Sequence, residues 1–191
     1  ISYQADGASE ETICTVRSNR AAMEYTAVSA SLPPTEVLHA HFKRACRDAA
    51  PGKLPSVEFV IPSTDAGGKA VTVEAPSGSV DSDGFGDGKG ALLAKLRADA
   101  AGLQVFMNKD PEWSEEQQMP VLDFWGRAEL ASSKNMQLTP REVDEEAIDY
   151  HFLLGKVNDD DFNVDVCGPF SVLQATAIAV IVFDNATAPM K

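Results

Sequence analysis

The sequence predicts an α+β protein, in which an antiparallel or mixed sheet carries about three main helices. Three observations support this fold class. The length of 191 residues suits one domain, and 44% hydrophobic residues are enough for a full core. Segments typical of strands and helices also follow one another without the strict alternation that marks a parallel sheet. We therefore expect residues 1–191 to form a single α+β domain.

The strands are predicted from short apolar runs, several of which alternate with polar residues. Val57, Phe59 and Ile61 alternate in this way, and Asp65 to Gly68 has the composition of a hairpin turn. The run at 172–183 is rich in β-branched residues and alanine, which favours a long buried strand. Strands are expected over residues 13–16, 23–30, 57–61, 71–73, 122–130 and 172–183.

Three helices are predicted from apolar spacings of three and four residues and from capping patterns. The first, 35–49, is followed by Pro51-Gly52, and the second, 90–101, has three leucines on one face. The third, 139–152, begins at Thr139-Pro140-Arg141-Glu142, which fits a capping box. Between the first two, the Gly-, Ser- and Asp-rich segment 76–90 is expected to be a flexible loop.

The charge of the chain limits its partners. The net charge is −13 and the isoelectric point about 4.5, which argues against nucleic acid and against an anionic membrane surface. The longest apolar run, 170–183, is too short and too polar for a spanning helix. We expect a soluble protein, with peripheral association to a membrane complex left open. The chain starts at Ile1 and carries no signal peptide, so either a targeting segment was removed or the ends are trimmed. In the first case we expect a processed protein that is imported into an organelle or exported.

One loop resembles a calcium site without completing it. Asp81, Asp83 and Asp87 are spaced like the ligands of an EF-hand loop, but Gly90 stands where the closing acid is needed. They are weak metal candidates, and we expect no metal. The glycines of this loop also lack the features of a phosphate-binding loop, so we expect no cofactor.

No catalytic motif is present, so the sequence predicts a protein that is not an enzyme. The alternative is a small enzyme built from dispersed residues, with His41, His151 or Cys167 as its reactive groups. His41 lies on the apolar stripe of the first predicted helix, which favours a buried structural histidine.

Two charged surfaces are the candidate partner-binding sites. Lys43, Arg44 and Arg47 form a basic cluster on the first predicted helix. The opposite charge concentrates in the acidic segment 139–165, which includes Asp159, Asp160 and Asp161 in a polar turn. We therefore predict a non-enzymatic protein-binding or accessory subunit of a larger assembly, an organellar one among the candidates, with a basic surface on its partner.

The segment from Thr26 through the predicted helix 35–49, followed by Gly52-Lys53-Leu54-Pro55, resembles the ribosome-binding domain of trigger factor. The resemblance covers about residues 12–130. It implies, as an alternative function, a chaperone-like module with a general protein-binding surface. The Gly-Phe-Arg part of that family's ribosome-contacting loop is missing and the chain is acidic, so ribosome binding is not carried over.

Overall fold

The computed structural model describes residues 2–3, 11–43, 56–64, 71–74, 90–98, 101–142 and 149–187. Within these ranges the chain is mostly antiparallel sheet with two helices. The strands are β1 Ser2–Tyr3, β2 Glu11–Thr12, β3 Cys14–Ser18, β4 Glu24–Ser29, β5 Thr35–Phe42, β6 Val57–Pro62, β7 Leu103–Asn108, β8 Glu112–Ser114, β9 Met119–Val121, β10 Met136–Pro140, β11 Phe152–Lys156 and β12 Phe162–Val166. The helices are α1 Ala91–Arg97 and α2 Val172–Thr187.

Eight strands form one curled sheet in the order β12-β11-β10-β7-β6-β5-β4-β3. Every neighbouring pair is antiparallel. Two small hairpins, β1-β2 and β8-β9, are separate from this sheet. Helix α2 contacts both edge strands, β3 and β12, as well as β4 and β5. A sheet whose two edges reach the same helix must bend around it, so the fold is a half-barrel with α2 on its inner side.

The core lies between α2 and the inner face of the sheet. Its largest fully buried side chains include Tyr25, Phe59, Phe106, Phe152, Leu138, Leu154, Ile178 and Ile181. Polar bonds add to this packing at both ends of the helix. Gln174 Nε2 donates to the Val37 carbonyl at 2.9 Å, and the Tyr25 hydroxyl donates to Asp184 at 2.8 Å.

A β-bulge in β5 allows this strand to form hydrogen bonds with both helices. Ala27 pairs with Leu38 but Val28 pairs with Glu36, so Val37 is an extra residue in β5. The bulge leaves the Val37 carbonyl available to Gln174 of α2. It also turns Glu36 towards the opposite face of the sheet, where α1 lies.

Glu36 caps helix α1 from the neighbouring strand. Its buried carboxylate accepts hydrogen bonds from the Ala91 N–H at 2.7 Å and the Leu92 N–H at 2.8 Å. These are two of the N–H groups that a helix start leaves without intrahelical partners. Gly90 fits because a Cβ there would lie 3.0 Å from the Glu36 carboxylate.

Replacing this cap should destabilise the protein measurably. We expect Glu36→Ala to lower the free energy of unfolding by about 1–2 kcal/mol, since a buried and a partly buried N–H group lose their acceptor. Urea denaturation followed by circular dichroism measures the change. Glu112→Ala, at an exposed position, is the matched control and should change stability by less than about 0.5 kcal/mol. Equal effects of the two substitutions would contradict the capping role.

The predicted α+β fold with about three main helices is wrong. The first predicted helix, 35–49, begins as strand β5, Thr35–Phe42. Leu38 and Ala40 face α2, whereas His39 is buried on the other face. A strand that is buried on both faces has no clear period of two. The apolar residues of β5 therefore recur at spacings of three and four residues, which are typical of a helix.

Two other elements were also assigned to the wrong type. Thr139 and Pro140 end strand β10, where Thr139 pairs with Met107, so sheet pairing replaces the predicted capping box. Phe152, the predicted end of that helix, begins β11. The predicted strand 172–183 is helix α2, which is apolar around much of its circumference because the sheet surrounds it.

Three of the predicted strands and one of the predicted helices were correct. The strands predicted at 13–16, 23–30 and 57–61 correspond to β3, β4 and β6, and the helix predicted at 90–101 corresponds to the shorter α1. The segments 71–73 and 122–130 are not strands. The predicted turn 65–68 and all of the predicted loop 76–90 except Gly90 lie outside the described residues, as do Asp81, Asp83 and Asp87. No described helix is long and apolar enough to cross a membrane.

Candidate functional site

A row of polar residues crosses three strands on the face of the sheet that carries α1, called here the outer face. Arg17 of β3 pairs with Thr26 of β4, and Thr26 pairs with His39 of β5. Directly paired residues point to the same side of a sheet. The row therefore runs from an exposed arginine to a buried threonine and a buried histidine.

Helix α1 adds a second arginine to this face. Glu24 pairs with His41 in the next row of the same face. Arg97, in the last turn of α1, places a guanidinium nitrogen 3.8 Å from a Glu24 carboxylate oxygen. The Arg97 side chain is 61% exposed, so most of it stays available to solvent. The outer face thus presents the guanidinium groups of Arg17 and Arg97, and Arg97 lies beside the partly buried acid Glu24.

His39 is the buried centre of this arrangement. Its Nδ1 lies 3.2 Å from the Thr26 hydroxyl, and its Nε2 is buried without a hydrogen-bond partner among the described residues. Burial is the largest cause that lowers the pKa of His39 to about 4, and the nearby charges of His41 and Arg97 contribute to this shift. The ring is therefore neutral at pH 7, and the positive charge of the outer face comes from the arginines.

A second basic cluster lies on the neighbouring strands. The buried carboxylate of Glu58 accepts a hydrogen bond from Lys43 Nζ at 2.5 Å and another from an Arg141 guanidinium nitrogen at 2.5 Å. Burial raises the pKa of Glu58, but the bonds and charges of Lys43 and Arg141 outweigh it, so the pKa is lowered overall. Two half-exposed cations share one acid, which leaves the cluster with one excess positive charge.

Only part of the predicted binding surface falls within the described residues. Lys43 belongs to the Glu58 cluster, whereas Arg44 and Arg47 lie outside the described residues. Asp159, Asp160 and Asp161 are exposed in the turn between β11 and β12. The side chain of Asn158 accepts hydrogen bonds from two N–H groups of that turn and fixes its shape. Binding of a basic partner there stays a prediction.

The reactive residues considered for an enzyme do not form a catalytic group in the described part of the chain. His151 and Cys167 are neighbours through backbone contacts, since the Cys167 N–H donates to the His151 carbonyl at 3.0 Å. Burial raises the pKa of the Cys167 thiol and lowers the pKa of His151. His41 lies on β5. It shares the outer face with His39, since residues two apart on a strand point to the same side.

Sequence reasoning missed Arg17, His39 and Arg97 as members of one surface. None of the three belongs to a motif in its own segment. The register of the strands and the packing of α1 on the sheet bring them onto one face. Strands were predicted at 13–16 and 23–30, the second with alternation, but only the register between β3 and β4 places Arg17 and Thr26 on one face. The described residues contain no group of three or more metal-ligating side chains. What the outer face offers is donors for an anion, from arginine guanidinium groups beside a hydroxyl.

Comparisons with known proteins agree with this fold. A family model described as the Tub family matches residues 2–185. The chain is 36% identical over 96 residues to Tubby protein homolog 1 of Caenorhabditis elegans, covering 50% of this chain and 22% of that protein. It is 37% identical over 95 residues to Tubby-related protein 2 of Homo sapiens, covering 49% and 18%. Tubby-like F-box protein 11 of Oryza sativa subsp. japonica is 39% identical over 96 residues, covering 48% and 24%.

The matched part of the chain therefore covers less than a quarter of the length of each of these relatives. The resemblance to trigger factor is wrong, because the model of a different family matches nearly the whole chain. It depended on a helix at 35–49, and that segment begins with strand β5.

Proposed function

The chain belongs to the Tub family and is not an enzyme, and from this premise we propose that it is a binding domain whose outer face holds the anionic headgroup of a phosphoinositide while another surface contacts a protein partner. We also propose that residues 1–191 form one domain. The expectation from the sequence that the protein is not an enzyme is confirmed by its family.

The observation that carries the proposal is the position of Arg17 and Arg97. They come from β3 and α1, they are exposed, and they lie on one face beside the Thr26–His39 pair. Arginine guanidinium groups match phosphate oxygens in geometry and retain their charge at all physiological pH values. Two of them on a rigid sheet and helix support recognition of a multiply phosphorylated headgroup.

The net charge of −13 and this proposal are compatible. Broad attraction to an anionic membrane needs many basic residues spread over a surface, and the acidic composition opposes it. A local site needs only a few donors at fixed positions. We therefore expect binding that depends on the phosphorylated headgroup and only weakly on the total charge of the membrane.

Vesicle co-sedimentation tests this function. The vesicles contain phosphatidylcholine with either a bisphosphorylated phosphoinositide or enough phosphatidylserine to give equal total charge. We expect the phosphoinositide vesicles to bind more tightly. Arg17→Gln and Arg97→Gln should each weaken binding about fivefold, because each removes a charged contact worth about 1 kcal/mol.

Lys134→Gln is the charge-matched control. Lys134 lies over the Phe183 ring of α2, on the inner side of the sheet, so its loss should leave binding unchanged. Equal binding to phosphatidylserine vesicles would contradict headgroup recognition. Unchanged binding of both arginine variants would contradict the outer face as the site.

A further inference from the structure

A pocket of about 390 Å³ opens where β7 extends beyond its pairing with β10. That pairing ends at Phe106 and Pro140. The walls combine polar surface with about as much apolar surface, the latter from side chains such as Leu103, Val105 and Phe106. The volume lies within the range of about 300–1,000 Å³ that small-molecule pockets occupy. Arg17 and Arg97 do not line it, so it is separate from the outer-face site proposed above.

Two polar atoms in the pocket wall need partners. Gln104 Oε1 and His151 Nδ1 are both buried and have no hydrogen-bond partner among the described residues. A buried polar atom without a partner is costly, and such atoms are uncommon in folded proteins. Burial lowers the pKa of His151, so its ring is neutral at pH 7. A neutral imidazole and an amide suit an uncharged polar group such as a peptide bond.

The rim of the pocket carries a guanidinium group held in place. Arg141 lines the pocket and donates to Glu58, which also binds Lys43. Since one carboxylate serves two cations, the Glu58 cluster retains one positive charge beside the pocket. Arg141 has five N–H donors and is 40% exposed, so donors remain for a ligand. Glu142 on the same rim is exposed, and its charge is screened by solvent.

We propose that this pocket binds an N-acylated apolar amino acid through its free carboxylate. The carboxylate contacts Arg141, the amide N–H donates to Gln104 Oε1, and the amide carbonyl accepts from the His151 ring. The apolar side chain packs against Leu103 and Val105, which share one face of β7. The same chemical group occurs on a free N-acyl amino acid and at the C-terminus of a peptide, and the experiment separates these two sources.

Titration calorimetry with N-acetylphenylalanine tests the proposal on the whole chain. For a ligand of this size we expect a dissociation constant on the order of 0.1–1 mM. N-acetylphenylalanine amide, which lacks the carboxylate, should bind at least tenfold more weakly, because a charged hydrogen bond is lost. A pentapeptide ending in phenylalanine gives the second arm. Tighter binding of the peptide identifies a C-terminus as the ligand, and tighter binding of the free acid identifies a small molecule.

Arg141→Gln and Lys43→Gln form a matched pair, because both remove one cation from Glu58 and only Arg141 lines the pocket. We expect Arg141→Gln to weaken binding of the acid about tenfold and Lys43→Gln to leave it within about twofold. Gln104→Leu should also weaken it about fivefold, without touching the Glu58 cluster. The proposal is overturned if the acid does not bind at 10 mM, on the order of ten times the weakest expected constant. Equal affinities of acid and amide, or equal effects of the two cation variants, also overturn it.

Discussion

Ile178→Ala is expected to lower the free energy of unfolding by about 2–4 kcal/mol. Ile178 lies in the middle of α2, is fully buried, and packs in the core between the helix and the curled sheet. Removing its side chain loses the transfer free energy of the buried carbons and leaves a cavity that a rigid half-barrel closes only in part. Chemical denaturation of the full chain measures the change.

Val180→Ala is the control for this prediction. Val180 lies in the same helix and is also β-branched, but it is 42% exposed. Both substitutions improve helix propensity by a similar small amount, so the difference between them reports burial. We expect Val180→Ala to change stability by less than about 1 kcal/mol. If both substitutions cost the same, α2 is not enclosed by the sheet as described.

The stability of the protein should fall by about 3 kcal/mol between pH 6.5 and pH 4 through His39 alone. The pKa of this buried histidine is lowered to about 4, whereas in the unfolded chain it has its ordinary value of 6.5. As the pH falls through this window, His39 binds a proton in the unfolded chain but not in the native state. The contribution of His39 is therefore complete above pH 6.5 and is lost towards pH 4, at about 1.4 kcal/mol per pH unit.

His39→Gln should flatten this pH dependence, because glutamine cannot take up the proton. Denaturation curves at several pH values between 4 and 7 measure the slope. Val60→Ala is the control, since Val60 is buried and pairs with His39 in the same row but does not titrate. It should lower stability by a similar amount at every pH and keep the slope.

Two other groups, His151 and Glu58, also lower the stability of the protein in acid, each over its own pH range. Burial lowers the pKa of His151, so it contributes in the same direction as His39. The pKa of Glu58 is lowered overall, so its contribution is present above the ordinary carboxylate pKa and is lost as the pH falls below it. A slope that is identical in the unmodified chain and in His39→Gln would contradict the burial of His39 as a neutral ring.

The sequence by itself determined the elements whose pattern has a single period. Buried and exposed residues alternate in β3, and α1 has its buried leucines on one face, so local geometry and burial agree there. Strands β4 and β6 were predicted from apolar residues at alternate positions, although β6 is buried along its whole length. The acidic composition and the missing catalytic motifs also led correctly to a protein that is not an enzyme.

The tertiary structure decided the segments that are apolar on more than one side. Strand β5 is buried under α1 on one face and against α2 on the other, and α2 is enclosed by the curl of the sheet, so neither shows its own period. The residues that follow Thr139 in the sequence fit a helix cap. In the structure Thr139 instead pairs with Met107 in the sheet, and this pairing takes the place of the cap. The outer-face site depends on register, because a shift of one residue in β4 would turn Thr26 away from Arg17 and His39. Contacts between segments far apart in the chain determine this register, and they cannot be read from a single sequence.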